Sequence, residues 1–223
     1  MELNDAFPAF GLRIEAGPLV LRPITDDVLP DLVQLALSGV HAPELMPFYV
    51  PWTDAPPTEL PRNFVQYHWG LRSGWRREHW HLEFAVEWDG QLVGCQGFFA
   101  DHYLVMRSGE TGSWLGRAYQ GRGIGTAMRR AICAFVFDHL NAEQITSAAF
   151  TDNAASNAVS RKVGYLPNGV IRMTRRDGEW QDSQQWLLTK DTFARGPEIA
   201  VAGAAEFRRF IGLEQPDAPT AQS

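Results

Sequence analysis

Gln120-Gly-Arg-Gly-Ile-Gly-Thr126 stands between a segment of strand character, Glu110 to Leu115, and a helical pattern carried by Ile124, Met128, Ala131, Ile132, Phe135 and Val136. Glycines at 121, 123 and 125 strip side chains from backbone that something must approach closely. The first amides of the following helix lack intrahelical acceptors and point into the same space. Such a loop suits a phosphate or pyrophosphate, and Arg122 can add a cation. Taken alone it also reads as a glycine-rich turn that only caps a helix. Two phosphate-binding patterns fit poorly. A nucleoside-triphosphate loop needs Lys-Ser/Thr after its last glycine, and here Thr126-Ala127 follows. A dinucleotide loop needs glycine where Thr126 stands and should follow the first strand of its domain, although Asp152 could serve as its ribose-binding acid.

Upstream, Leu82 to Trp88 and Gln91 to Phe99 read as strands joined at Asp89-Gly90, a strong hairpin signal. Phe10 to Glu15 and Pro18 to Arg22 read as two shorter strands. Thr25 is placed to cap a helix with Asp26 and Asp27 in its first turn and Leu29, Leu32, Val33 and Ala36 on its buried stripe. Prolines at 43, 47, 51, 56 and 57 make His41 to Pro57 a stiff loop. A second helix follows, from about Thr58 to Arg72, with Pro61 in its first turn. Downstream, Gln144 to Phe150 reads as a strand and Ala154 to Val163 as a short helix stopped at Gly164. Two last strands, roughly 168–176 and 180–189, meet at Asp177-Gly178. Ile199 to Leu213 reads as one amphipathic helix and Glu214 to Ser223 as a disordered polar tail.

The 223 residues are 45% hydrophobic and 21% charged, which suits one packed globular domain. The net charge of −6 gives no global field toward nucleic acid or anionic lipid. No stretch approaches 18 continuous apolar residues, and Met1 to Glu15 lacks a basic head followed by an apolar core. A soluble, cytoplasmic protein is expected, with neither nucleic acid nor membrane as partner. His68, His79 and His81 have no acidic or cysteine partner at ligand spacing, so no metal is expected. The unusual count is eight tryptophans, five of them from Trp52 to Trp88.

The loop also fits Gln-x-x-Gly-x-Gly/Ala, and after the next strand comes Asp152-Asn-Ala-Ala-Ser-Asn-Ala-Val-Ser-Arg-Lys-Val-Gly-Tyr165. In this order, from about Leu19 to Thr189, the two motifs resemble the GNAT superfamily of N-acetyltransferases, and most of all its Rim-type branch, which acetylates N-termini of ribosomal proteins. The resemblance implies an α/β (α+β) fold: a mixed, mostly antiparallel sheet with flanking helices and one parallel pair of strands that splay apart at the acetyl-CoA site. The domain would cover 1–195, with a C-terminal helix and tail over 196–223. Main-chain groups of Ser113, Trp114 and Leu115 would hold the pantetheine arm, and an N–H at Trp114 or Leu115 would polarise the thioester carbonyl. Gln120, Gly121, Arg122, Gly123, Ile124, Gly125 and Thr126 would hold the pyrophosphate. Asn153 would reach the pantetheine, and Ser156 would protonate the departing thiolate.

This chain departs from the family in two places. Many relatives have a tyrosine acid seven residues after the Asn, where Ser160 stands here. Some Rim-type relatives have a glutamate where Arg175 stands. Glu83 and Glu110, with Asp101-His102 nearby, are the candidates for the base. The acceptor side maps onto His41 to Trp80, with Phe48, Tyr49 and Trp52 as candidate substrate contacts and Met46, Trp69 and Trp75 beside them. Trp69 is expected mostly to pack, and Trp52 to sit near the cleft mouth. The amine of a protein N-terminus, a lysine or a small molecule would attack directly in a ternary complex. Cys95 and Cys133, mid-strand and mid-helix, are not placed to form an acyl-enzyme. A non-catalytic acyl-CoA-binding module and a dinucleotide-dependent oxidoreductase remain as alternatives, and a homodimer through the C-terminal helix stays open.

Overall fold

A computed structural model describes residues 1–214. In chain order the elements are α1 (Leu3–Ala6), β1 (Arg13–Ala16), β2 (Leu19–Pro23), α2 (Leu29–Leu37), α3 (Leu60–Ser73), β3 (His79–Trp88), β4 (Gln91–Asp101), α4 (Tyr103–Met106), β5 (Ser108–Leu115), α5 (Ile124–His139), β6 (Gln144–Phe150), α6 (Ala154–Val163), β7 (Leu166–Arg176), β8 (Glu179–Thr189), β9 (Ala200–Ala202) and α7 (Ala204–Ile211). The nine strands form one sheet in the order β7-β8-β6-β5-β4-β3-β2-β1-β9. Every neighbouring pair is antiparallel except β5 and β6. This is the mixed, mostly antiparallel α/β architecture expected.

Period-two alternation sorts the side chains of β3 onto two faces. Trp80, Leu82, Phe84 and Val86 join α5, Tyr165 and Trp186 in the larger core. Ala85 and Cys95 face the other way, against Leu32, Val33, Leu60 and Phe64 of α2 and α3. The Asp89-Gly90 hairpin forms with φ of 49° and 74°, the left-handed pair that a tight two-residue turn requires.

Three local expectations change. The chain makes a turn before α2, with the Val28 N–H donating to the Thr25 carbonyl at 3.2 Å and the Thr25 hydroxyl to Asp27 at 2.5 Å. Thr25 therefore caps nothing, and the helix starts at Leu29 with Pro30 in its first turn. Phe10 lies in a 3₁₀ turn, Pro8–Gly11, ahead of β1. The C-terminal segment is not one helix. Gly203, at φ 75°, breaks it into β9, which pairs with β1, and α7, whose Phe207 and Ile211 enter the larger core. The expected tail from 215 onward lies outside the described residues. No helix among the described residues is long and apolar enough to cross a membrane.

Candidate active site

β5 and β6 pair only through Ser108–Gln144, Gly109–Ile145 and Glu110–Thr146. Beyond that rung each strand follows its other neighbour: β5 stays with β4 as far as Leu115–Gly94, and β6 stays with β8 as far as Phe150–Ser183. A wedge opens between them. The phase of its inner edge follows from antiparallel alternation. The Gly116 N–H donates to the Val93 carbonyl at 2.9 Å, so the main-chain groups of Trp114 turn toward Cys95. Those of Ser113 and the N–H of Leu115 turn into the gap. Of the backbone groups expected to hold a pantetheine arm, Trp114 is therefore the exception. Its indole instead packs on Trp52 and Phe64, with ring centroids 5.7 and 6.2 Å away.

The wedge runs into the glycine loop. The N–H groups of Gly121, Arg122, Gly123, Ile124 and Gly125 have no hydrogen-bond partner among the described residues, whereas those of Thr126 and Ala127 donate to the Gly123 carbonyl at 3.1 Å. Gly121 and Gly123 have φ of 75° and 84°, and a Cβ on either would meet nothing within 4 Å. Backbone conformation, not crowding inside the protein, is what demands glycine there. Gln120 spends its amide within the protein, donating to the carbonyls of Val40 at 2.6 Å and Leu115 at 2.9 Å. It fixes the loop to the end of β5.

At the mouth of the wedge, Asn153 caps α6, its Oδ1 accepting the Ser156 N–H at 3.1 Å. That leaves its amide nitrogen for other contacts. The Ser156 hydroxyl makes no hydrogen bond among the described residues. Asp152 is held by both arms of the Arg175 guanidinium, so it is no free ribose acid. Sequence reasoning passed over Asn157, which is buried and ties three elements together. Its amide donates to the carbonyls of Phe150 at 2.9 Å and Asn153 at 3.0 Å, and its oxygen accepts the Trp186 indole N–H at 2.9 Å.

Across the sheet, on the α3 face, lie both candidate bases. Glu110 occupies the last paired rung of the wedge. Burial pushes its carboxyl up, opposed by the charge of Arg129. Glu83 sits two strands away in the row Glu83–Gly97–Gly112. Burial pushes its carboxyl up to about 8, against one hydrogen bond from the Tyr67 hydroxyl at 3.4 Å. Gly97 is what makes room, since a Cβ there would stand 2.9 Å from the Glu83 carboxylate. A Cβ on Gly97 or Gly112 would also stand 2.9 Å from the Phe99 ring, so Phe99 lies flat over both glycines as cleft floor. The signal for this lay in two mid-strand glycines. Behind Glu83 is a cavity of about 40 Å³ that His68 and His81 also line. Burial holds His68 near 4 and lowers His81, so both are neutral at physiological pH.

The proline-rich loop roofs the cleft. Tyr49 packs edge-on against Phe150 at 5.0 Å and shares a 2.6 Å hydrogen bond with Ser183 of β8. The Arg176 guanidinium donates to Asp54 at 2.6 and 3.1 Å and ties the loop to β7. Phe48 and Trp52 are half-buried and stacked at 5.3 Å. Three further aromatic-region expectations fail. Trp69 is exposed, with its indole on Asp26 at 3.1 Å, so it packs little. Met46 is buried rather than cleft-lining. Trp75 stacks on Trp80 at 5.7 Å, away from the loop. The thiols of Cys95 and Cys133 are buried and pushed up, Cys133 to about 11, and are poor nucleophiles.

A model of the acetyltransferase (GNAT) domain matches residues 18–166, and the chain belongs to that family. Its curated relatives include, from Bacillus subtilis (strain 168), "Putative ribosomal N-acetyltransferase YdaF", 30% identical over 119 residues, which are 51% of this chain and 63% of the relative. "Probable N-acetyltransferase YjcK" of the same organism is 26% identical over 48% of this chain and 60% of its own length. The chain thus spans about three fifths of the length of these relatives. Mycobacterium smegmatis RimJ, solved with CoA-disulfide, shares the fold at a TM-score of 0.66 and 20% identity, over 90% of this chain and 92% of that one. RimL, the ribosomal L7/L12 alpha-N-protein acetyltransferase solved with coenzyme A, does so at 0.65 and 20%, over 79% and 97%.

Proposed function

We propose that this chain moves the acetyl group of acetyl-CoA to a primary amine by direct attack in a ternary complex. The observation that carries the reading is the open edge of β5 continuing without interruption into five unpartnered amides. Coenzyme A needs both: hydrogen-bonding backbone along the pantetheine and fixed N–H donors at the pyrophosphate. The structural neighbours RimJ and RimL were solved with coenzyme A species. The N–H of Leu115 or Ser113 would polarise the thioester carbonyl, Asn153 would use its free amide nitrogen, and the cleft between Tyr49, Trp52 and Phe99 would take the acceptor. Such an enzyme would work in the cytoplasm, where its donor is made.

Glu83 is the base in this reading. It faces the acceptor side of the sheet, and a water in the cavity behind it could pass the proton toward His81. Its carboxyl near 8 matches an α-amino group, whose ordinary value is about 7.7–8.0. A lysine at about 10.4 would be deprotonated uphill by about 3 kcal/mol. The preferred acceptor is therefore a protein or peptide α-amino group, consistent with the names of YdaF and RimL. Thiol release from acetyl-CoA should be measured with a panel of N-terminal peptides, Nα-blocked lysine peptides and small amines. Release with the free N-terminus is expected. Tight coenzyme A binding with no release for any amine would leave a binding module and sink the enzyme reading.

A further inference from the structure

Arg129 projects from α5 beneath the gap between β5 and β6. It is 4% exposed. One arm of its guanidinium donates to the Ser147 hydroxyl at 2.8 Å and the other to the Ser113 hydroxyl at 3.1 Å, so it bridges the two strands just beyond their last shared rung. Ser147 is itself occupied, donating to the Thr111 carbonyl at 3.3 Å. The guanidinium has no ion-pair partner among the described residues, and its Nε has no hydrogen-bond partner at all. A buried, uncompensated cation is costly, and two neutral hydroxyls offset only part of that cost. Hydrophobic side chains would fill the same space more cheaply. A cation fixed under a gap is useful if an anion forms there during the reaction.

We propose that Arg129 is a positioning residue for the leaving group: held under the wedge by Ser113 and Ser147, its charge stabilises the thiolate of coenzyme A as that thiolate forms. The proposal rests on the reading of the wedge as the coenzyme A site. In the reaction the amine nitrogen bonds to the thioester carbon, the carbon–sulfur bond breaks, and its electron pair leaves on sulfur. The ammonium proton passes to the Glu83 carboxylate and then to water. The position where relatives carry a phenolic acid is Ser160, buried with its hydroxyl unpartnered. Ser156 can donate a hydrogen bond to the sulfur, but an aliphatic hydroxyl is a weaker acid than a thiol and cannot neutralise it. A nearby cation that lowers the sulfur's proton affinity removes the need for an acid. The other titratable groups facing Arg129 are Glu110, Cys133 and Tyr165. Burial keeps the Cys133 and Tyr165 protons on, so only Glu110, when ionised, opposes the field of Arg129.

The test is the ultraviolet absorbance of the coenzyme A thiolate, titrated with pH in complex with the full chain. Bound thiol should release its proton about tenfold more readily than free coenzyme A, a midpoint about one pH unit lower. Arg129→Met should bring the midpoint back to the free value, and Arg129→Lys should keep much of the change. Desulfo-coenzyme A, which has no thiol, should bind wild type and Arg129→Met with affinities within a few-fold. Should Arg129→Met fail to fold, the wild-type midpoint decides alone: a bound thiol titrating like free coenzyme A overturns the proposal. So does an Arg129→Met midpoint equal to wild type. If neither coenzyme A nor desulfo-coenzyme A binds the wild type, the wedge assignment falls and this inference with it.

Discussion

At the scale of single residues, reactivity is set by what surrounds each polar group. Glu83 is the clearest case. Its carboxyl near 8 acts as a base only when ionised, so kcat/KM should fall as pH drops through about 8, and Glu83→Gln should lower kcat by about 10²–10⁴. A comparable loss in Glu110→Gln with an unaltered Glu83→Gln would move the base to the wedge rung. The same burial has a sign for stability. The folded value exceeds the ordinary 4.5, so the native state holds this proton more tightly than the unfolded chain. Glu83's contribution is full below about 4.5 and is lost as pH rises through about 8. Glu83→Gln should therefore resist urea better than wild type at pH 9 and equally at pH 4. Ser156→Ala removes a hydroxyl that no protein group uses. Loss of a hydrogen bond to a developing charge is worth about 1.5–3 kcal/mol, so kcat should drop roughly 10- to 100-fold with little change in coenzyme A affinity. An unchanged kcat would make Ser156 a bystander beside the Asn153 cap.

At the scale of elements, legibility tracked local punctuation. β6 and α6 have the limits read from sequence, Gln144–Phe150 and Ala154–Val163, because Asn153 caps the helix and Gly164 ends it at φ 101°. α4 escaped notice because four residues carry no periodic signal; it is held by left-handed His102 and Arg107 at φ 47° and 45°. The C-terminal segment misled because Val201 and Phe207 sit at helical spacing while Gly203 breaks the chain between them. In the site, the glycine loop was legible as a motif, but the choice among Ser113, Trp114 and Leu115 needed the pairing phase of β4. Arg129 was invisible in sequence, since one arginine on an amphipathic helix reads as its solvent face until the splay of two strands is known. The loop itself carries a prediction. Gly123→Glu would place a carboxylate before five free amides, and coenzyme A affinity should fall by more than about 100-fold in calorimetry. Gly123→Ala is the control, because it adds only left-handed strain of about 1–2 kcal/mol and meets nothing nearby. Loss of affinity in both variants alike would point to loop distortion and away from an anion site.

At the scale of the whole molecule, the sheet separates function from stability. The wedge lies between β5 and β6, whereas the chain ends on the far side of β4, β3, β2 and β1, where β9 closes the β1 edge. α7 then covers an aromatic group that no part of the cleft touches: Phe207 is fully buried, edge-on to Trp80 at 5.6 Å and to Trp75 at 6.1 Å. Phe210 meets Trp75 and Phe7 at 5.3 Å, so the two ends of the described chain lock together there. Five of the eight tryptophans lie between Trp52 and Trp88. Of these, Trp52 roofs the cleft while Trp75 and Trp80 belong to this distant pack. Removing a phenyl group from such a site leaves a cavity and costs about 3–5 kcal/mol. Phe207→Ala should shift the urea midpoint down accordingly, yet kcat/KM per folded molecule should stay within about twofold of wild type. The two readouts are independent. A normal urea midpoint would mean that α7 contributes little to the core, and a collapsed kcat/KM at full foldedness would mean that the terminal pack reaches the acceptor cleft through α3.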